Sequence, residues 1–327
     1  HKLTEKRFCD IIYIVKLKGG LNLKKRKQHY VWQHYLEAWT NNGQLYCLRN
    51  KSIFPTNTLN IGQQRDFYRL QELTPNDITL IKLLYVNTSP LFLQPLHNQL
   101  LDGFNLAFEL KRLYEESGKK DEEFEKQIDI TINNLEENLH CGIEKMAIPF
   151  LEEVRKKDLS FYDDEQKKIE FNYFVATQYL RTNHMRQRLK QAFQDMPAKY
   201  AHFNFDINKV WNVVSHIMAT NLGYSLSRPD YHINIFLLEN NTDVPFITCD
   251  QPLINIKSNP TNFEVPSELE LYYPQTPQIA LMFSMNDTIS FSKNVSKDEV
   301  KALNDLMVSS SQEQIYANEK SVLEQYL

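Results

Sequence analysis

A glutamine and an arginine sit one turn apart in an apolar helical stretch, and both side chains are costly to bury. Residues 171–190 read FNYFVATQYLRTNHMRQRLK. Wound as a helix at about 100° per residue, they place Phe171, Phe174, Val175, Thr182, Met185 and Leu189 in one stripe, with Gln178 in its middle and Arg181 on its flank. A buried amide needs partners or costs roughly 1–3 kcal/mol. A buried guanidinium needs an acidic or carbonyl-rich neighbour. The two residues therefore mark either a structural polar network or a site.

Two further segments carry groups that could work with them. The cations Lys24, Lys25, Arg26 and Lys27 lead into QHYVWQHYLEAW. A helix starting near His29 would put Trp32, Gln33, Leu36 and Trp39 within about 120° of that histidine and turn Tyr30 and His34 away. His29 is then the candidate acid/base or anion contact. The run Arg181, His184, Arg186, Arg188 and Lys190 is a second cation-rich segment in a chain of net charge −4. Two such segments suit a phosphate-bearing ligand, with Lys27, Gln33, Thr248 and Arg188 as its binding residues. Asp250, in FITCDQP, closes a strand before a proline-restricted Gln251. It reads as an Asx-turn former, or as the carboxylate that holds Arg181, orients His29 or binds a divalent metal such as Mg2+.

The elements that must position these groups point to an α+β fold. The spacing predicts helices over 76–87, 96–116, 128–157, 164–195 and 207–223, with 117–127 as a solvated connection. Short strands are expected at 11–15, in QLYCLRN and on to residue 61, and in the strand-rich part 231–292. There YHINIFLLEN and VPFITCDQPLINI read as a hairpin. A helix over 296–316 follows, with Ser296 and Glu299 placed as a capping box. The expectation is a single domain over 1–327 with a short N-terminal extension, 1–24. It is mostly helical, with long helices packed around a small antiparallel sheet formed largely by the C-terminal third.

Composition narrows the function classes. Eight glycines in 327 residues argue against a Rossmann-type phosphate loop, and no HExxH, GxxxxGK[ST], GxSxG or EF-hand loop is present. The four cysteines are widely spaced without a CxxC pair, so buried free thiols are expected. With no secretory signal and no long apolar run, the sequence reads as cytoplasmic and not membrane-bound.

Taken in order, QHYVWQHYLEAW, QQRDFYRL, FVATQYLRT, PFITCDQPL and YYPQTPQIAL resemble the successive motifs of the DUF4238 family of bacterial and some fungal proteins. His29, Gln178, Arg181, Thr248 and Asp250 match its pattern. Gln28 and Trp32 stand where the family usually has histidine and proline, and Cys249 and Gln251 depart from its TSDNP motif. Because family members often resemble accessory or effector components of antiphage systems, the resemblance implies a defence role. The expectation is a nuclease acting on RNA or DNA. In it His29 is the acid/base, Arg181 stabilises the phosphorane-like charge, Gln178 fixes Arg181 or a water, and Asp250 orients one of them or a metal. The alternative is a non-catalytic nucleotide- or partner-binding module of a defence system, with the same residues serving recognition or a structural network.

Overall fold

The computed structural model describes residues 23–193, 200, 203, 205–259, 266, 268–285 and 291–327. In chain order the elements are β1 (Lys27–His29), α1 (Gln33–Glu37), β2 (Leu45–Arg49), β3 (Ser52–Thr56), β4 (Gln63–Arg65), α2 (Pro75–Ile81), α3 (Gln94–Glu116) and α4 (Glu122–Arg155). Next come α5 (Glu165–Leu180), α6 (Asn183–Ala192), α7 (Ile207–Ser227), β5 (Asn234–Glu239), β6 (Thr248–Cys249) and β7 (Ile254–Asn255). The chain closes with β8 (Leu271–Thr276), β9 (Ile279–Ser284), β10 (Ser292–Asn294), α8 (Lys297–Ser309), β11 (Ile315–Ala317) and α9 (Lys320–Glu324). The class is α+β, as the clustering of strands predicts.

The long helices have local reasons to form. Asp121 caps α4 by accepting from the Glu123 and Phe124 amides, and Glu122, Glu123 and Glu125 complement the positive end of the helix dipole. Pro149 lies inside α4 without ending it. Asp164 caps α5 through the Lys167 amide at 3.0 Å. From Phe171 to Gln178 every residue of α5 is buried, as befits a helix surrounded by others. Its closest neighbour is α7, and Gly223 sets that approach. A Cβ there would lie 2.9 Å from Tyr173 Cα and 3.3 Å from the Asn172 carbonyl oxygen.

The strands divide among three small sheets. A five-stranded sheet runs β10-β5-β9-β8-β7, with β10 parallel to β5 and the other pairs antiparallel. A four-stranded antiparallel sheet runs β3-β2-β11-β6. It joins the β2–β3 hairpin, built from the short strands expected in QLYCLRN and on to residue 61, to strands from the end of the chain. The third is the β1–β4 ribbon, extended by the Val31 amide donating to the Gly62 carbonyl at 3.0 Å. Gly62 adopts φ 58, and a Cβ there would meet Val31 Cβ at 2.8 Å, so only glycine fits. Among the described residues a large hydrophobic cluster draws on positions from Tyr30 to Leu323, and a small one joins Ala176 and Leu180 of α5 to Ala219 of α7.

Several expectations are corrected. His29 does not start a helix; it ends β1, and α1 begins at Gln33, because the backbone of 27–29 is taken by pairing with β4. The helix read over 171–190 breaks at Arg181. Thr182 is extended there (φ −80, ψ 158), and its hydroxyl caps α6 through the Met185 amide. Of the 117–127 stretch read as a connection, residues 122–127 are the first turns of α4. β5 and β6 do not form a hairpin: β5 pairs with β9, while β6 pairs with β11 in the other sheet. The last predicted helix stops at Ser309, and residues 315–317 are the strand that receives β6, although the Ser296/Glu299 capping box is present. The strand expected at 11–15 lies outside the described residues. No helix among the described residues is long and apolar enough to cross a membrane.

The tight α5–α7 crossing gives a direct expectation. Gly223→Ala forces a methyl group onto Tyr173 backbone atoms that cannot rotate away, so it should destabilise the fold by about 1–3 kcal/mol. Chemical denaturation checks this, and wild-type stability would contradict the packing described.

Candidate functional site

Arg181 is almost fully buried where α5 ends. Its Nε donates to the Tyr68 hydroxyl at 2.8 Å and its Nη1 to Glu144 Oε1 at 2.5 Å. Its Nη2 donates to the main-chain carbonyl of His29, and the guanidinium lies 5.6 Å from the centre of the Tyr68 ring. Burial alone would lower the arginine pKa, but Tyr68 and Glu144 hold it above its ordinary range, so the cation stays charged. Gln28 supports this junction. It accepts from the Tyr68 amide at 2.6 Å and donates to the Asn133 carbonyl of α4 at 2.8 Å.

The basic segment before His29 is docked by side-chain amides of α4. Asn133 and Asn134 donate to the carbonyls of Lys25 and Leu23 at 2.9 and 2.7 Å. Lys24 pairs with Asp129 at 2.7 Å, Lys25 donates to Asn138 Oδ1 at 2.8 Å, and Arg26 grips Asp66 with two nitrogens. Lys27 stays exposed opposite Arg65 in the ribbon.

The other residues singled out in the sequence fall into place as follows. His29 meets Arg181 through its carbonyl, not its ring. The half-buried imidazole places Nε2 3.3 Å from the Thr58 carbonyl, which assigns the proton to that nitrogen. Burial lowers its pKa, the Thr58 contact opposes this, and Arg181 and Lys27 lower it further. Asp250 touches neither residue. Its buried carboxylate accepts the amides of Gln312, Glu313 and Gln314 at 2.8, 2.7 and 3.0 Å, so its oxygens are used to hold the segment that leads into β11. Burial pushes this carboxyl up to about 6 against those three donors. Thr248 donates to the Tyr35 hydroxyl at 2.7 Å, and Tyr35 in turn donates to the Pro274 carbonyl at 2.7 Å. Gln178 is buried, and its amide nitrogen has no hydrogen-bond partner among the described residues. Gln33 is the first residue of α1. Arg188 donates to the Asn259 carbonyl at 3.3 Å and lines a small polar pocket with His184, Gln251 and Asn255. The expected convergence of His29, Gln178, Arg181 and Asp250 on one cleft is therefore corrected: Arg181 and the His29 backbone meet, and Asp250 serves a separate junction.

A different set of ionisable groups does converge. Glu136 and His140 of α4 face His216 of α7, all at most 2% exposed. Glu136 Oε1 lies 3.5 Å from His140 Nε2 and 3.3 Å from His216 Nε2. The Asn212 amide donates to the other oxygen, Oε2. Neither ring nitrogen of either histidine makes a hydrogen bond among the described residues. Tyr68 packs on His140 at 4.6 Å and Phe104 on His216 at 5.7 Å, ring centre to ring centre. Burial holds His140 well below its ordinary range, with Arg181 and His216 adding to the effect, so its imidazole is neutral. Burial raises the Glu136 carboxyl, opposed by His216, Asn212 and Arg181. Among the described residues these three side chains form a group whose ligand atoms all lie within 4.8 Å of one another. The sequence does hold a signal for half of it, because Glu136, His140 and Glu144 recur at i, i+4 and i+8 on one helix face. Nothing local to the sequence brings His216 to them.

The fold and these buried charges define a mostly helical α+β protein with an ionisable centre inside its helical layer. The chain matches the model of the family described as Protein of unknown function (DUF4238) over residues 27–321 and belongs to that family. No curated protein and no solved structure gives a match.

The role of Asp250 is testable. Asp250→Ala leaves three amides without their acceptor and should cost about 2–4 kcal/mol at neutral pH. The native carboxyl holds its proton to about 6, above the ordinary 3.8, so between those values the folded chain binds more protons than the unfolded one. Stability from this group therefore falls as pH rises through that window. Denaturation curves across it should show that slope in the wild type and its loss in Asp250→Asn. Equal slopes would contradict the assignment.

Proposed function

We propose that this protein acts on nucleic acid as an effector of a bacterial antiphage system, holding phosphates on a surface formed by the β1–β4 ribbon and α6. The observation that carries this reading is the adjacency of the two cation-rich segments. Arg181, which leads into α6, hydrogen-bonds the backbone of His29, 152 positions away in the chain. Arg186 lies 4.8 Å from the centre of the Phe67 ring, two residues beyond Arg65. Lys190 follows Arg186 by one turn on the same face of α6 and is exposed, as are Lys27 and Arg65. In a chain of net charge −4, cations gathered in this way favour a polyanion over an unspecific acidic partner.

Recognition without cleavage is the form of this reading that the contacts favour. All three nitrogens of the Arg181 guanidinium donate within the protein, and both Asp250 oxygens are occupied by backbone amides. The cleaving form would require these groups to be released, or other residues to supply the chemistry. A protein partner within the defence system and a cytoplasmic setting belong to the same proposal.

Fluorescence anisotropy with labelled RNA and DNA at several salt concentrations tests it. Binding should weaken with salt, and replacing Lys27, Arg65 and Lys190 together by alanine should flatten the log–log slope by roughly 0.7–0.9 for each phosphate that is no longer neutralised. No binding at low salt, or an unchanged slope, would overturn the reading. Incubation of the same substrates with and without Mg2+ separates the two forms: intact substrate throughout supports recognition, and cleavage supports the nuclease.

A further inference from the structure

We infer that Glu136, His140 and His216 bind one transition-metal dication of the class that accepts imidazole and carboxylate ligands, such as Zn2+, Co2+ or Mn2+. Four-coordinate sites with metal–ligand bonds of about 2.0–2.1 Å have ligand atoms roughly 3.3–3.4 Å apart. Glu136 Oε1 already stands 3.3 and 3.5 Å from the two Nε2 atoms, without a hydrogen bond to either. As placed, the ring nitrogens of both imidazoles lack hydrogen-bond geometry to any described residue, which buried polar groups rarely tolerate. An ion between the three atoms satisfies both nitrogens and the carboxylate at once.

The surroundings fit the same ion. Asn212 fixes Glu136 by its far oxygen, leaving Oε1 turned to the histidines, and Tyr68 and Phe104 hold the ring planes. Phe104 and Asn212, which flank the centre, also line a small cleft with Leu70, Leu73 and Lys209. Two imidazoles disfavour Mg2+, which keeps oxygen ligands and octahedral geometry. The Mg2+ considered for Asp250 is thus not the ion for this place. The inference does not depend on nucleic-acid binding.

The test uses the full chain, stripped with a chelator and equilibrated by dialysis with Zn2+, with Co2+ and with Mn2+. One ion per chain is expected, with visible ligand-field bands when the ion is Co2+. His140→Gln and His216→Gln should abolish both, while Lys27→Ala should keep them. Asn212→Ala, which leaves all three ligands in place, should weaken affinity by about 10–100-fold and serves if the histidine variants do not fold. Failure of the wild type to retain any of the three metals would overturn the site. So would wild-type occupancy and spectrum in a folded His216→Gln, or unchanged affinity in Asn212→Ala. Metal content is read without nucleic acid, so its outcome and that of the binding assay stand apart.

Discussion

The structure depends on keeping one guanidinium charged out of water. Removing an ion from solvent costs several kcal/mol, and the cost is offset only when geometry supplies opposite charge and hydrogen bonds together. Arg181 receives both from three separate pieces of chain: Glu144 of α4, the Tyr68 hydroxyl just after β4, and the carbonyl of His29 at the end of β1. Meeting the demand of one cation therefore fixes the N-terminal ribbon against the helical layer. The same residue ends α5, and Thr182 beside it turns the chain into α6.

A second buried charge works the same way at another junction. Asp250 gathers three amides from residues 312–314 and so secures the pairing of β6 with β11. The two charges never meet; their sequence neighbours do. Thr182 donates its hydroxyl to Gln251 Oε1, and the Gln251 amide returns to the Tyr179 and Leu253 carbonyls. This polar contact ties the end of α5 to the strand end that follows Asp250. The length of the Gln251 side chain is what lets it reach α5.

The fold class was legible because long helices announce themselves by apolar spacing and, at Ser296, by a capping box, whereas the Asp121 cap was missed and α4 was read as starting six residues late. The demand of Arg181 for buried partners was legible for the same reason, since burial follows from its position on an apolar helix. What each residue touches was not. β1 is three residues long and exists only through pairing with a segment beyond two other strands, so helical periodicity won the reading at His29. The 296–316 stretch hid a strand in its tail because β11 draws its partners from residues 46–48 and 248–249. Asp250 forms no Asx turn, since Pro252 at the donor position has no N–H and the carboxylate oxygens are taken by amides 62–64 residues away, and the catalytic role required neighbours it does not have. The Glu136–His140 face could be counted off one helix, but His216 arrives only when α4 and α7 pack.

The central claim is that Arg181 and Glu144 form a buried, mutually dependent pair that holds the ribbon to the helices. A double-mutant cycle with Arg181→Met, Glu144→Gln and both together, followed by chemical denaturation, measures this directly. Each single change should cost about 3–5 kcal/mol by stranding its partner, and the double variant should lose clearly less than the two added together. Strictly additive losses, or a single variant as stable as the wild type, would contradict the account.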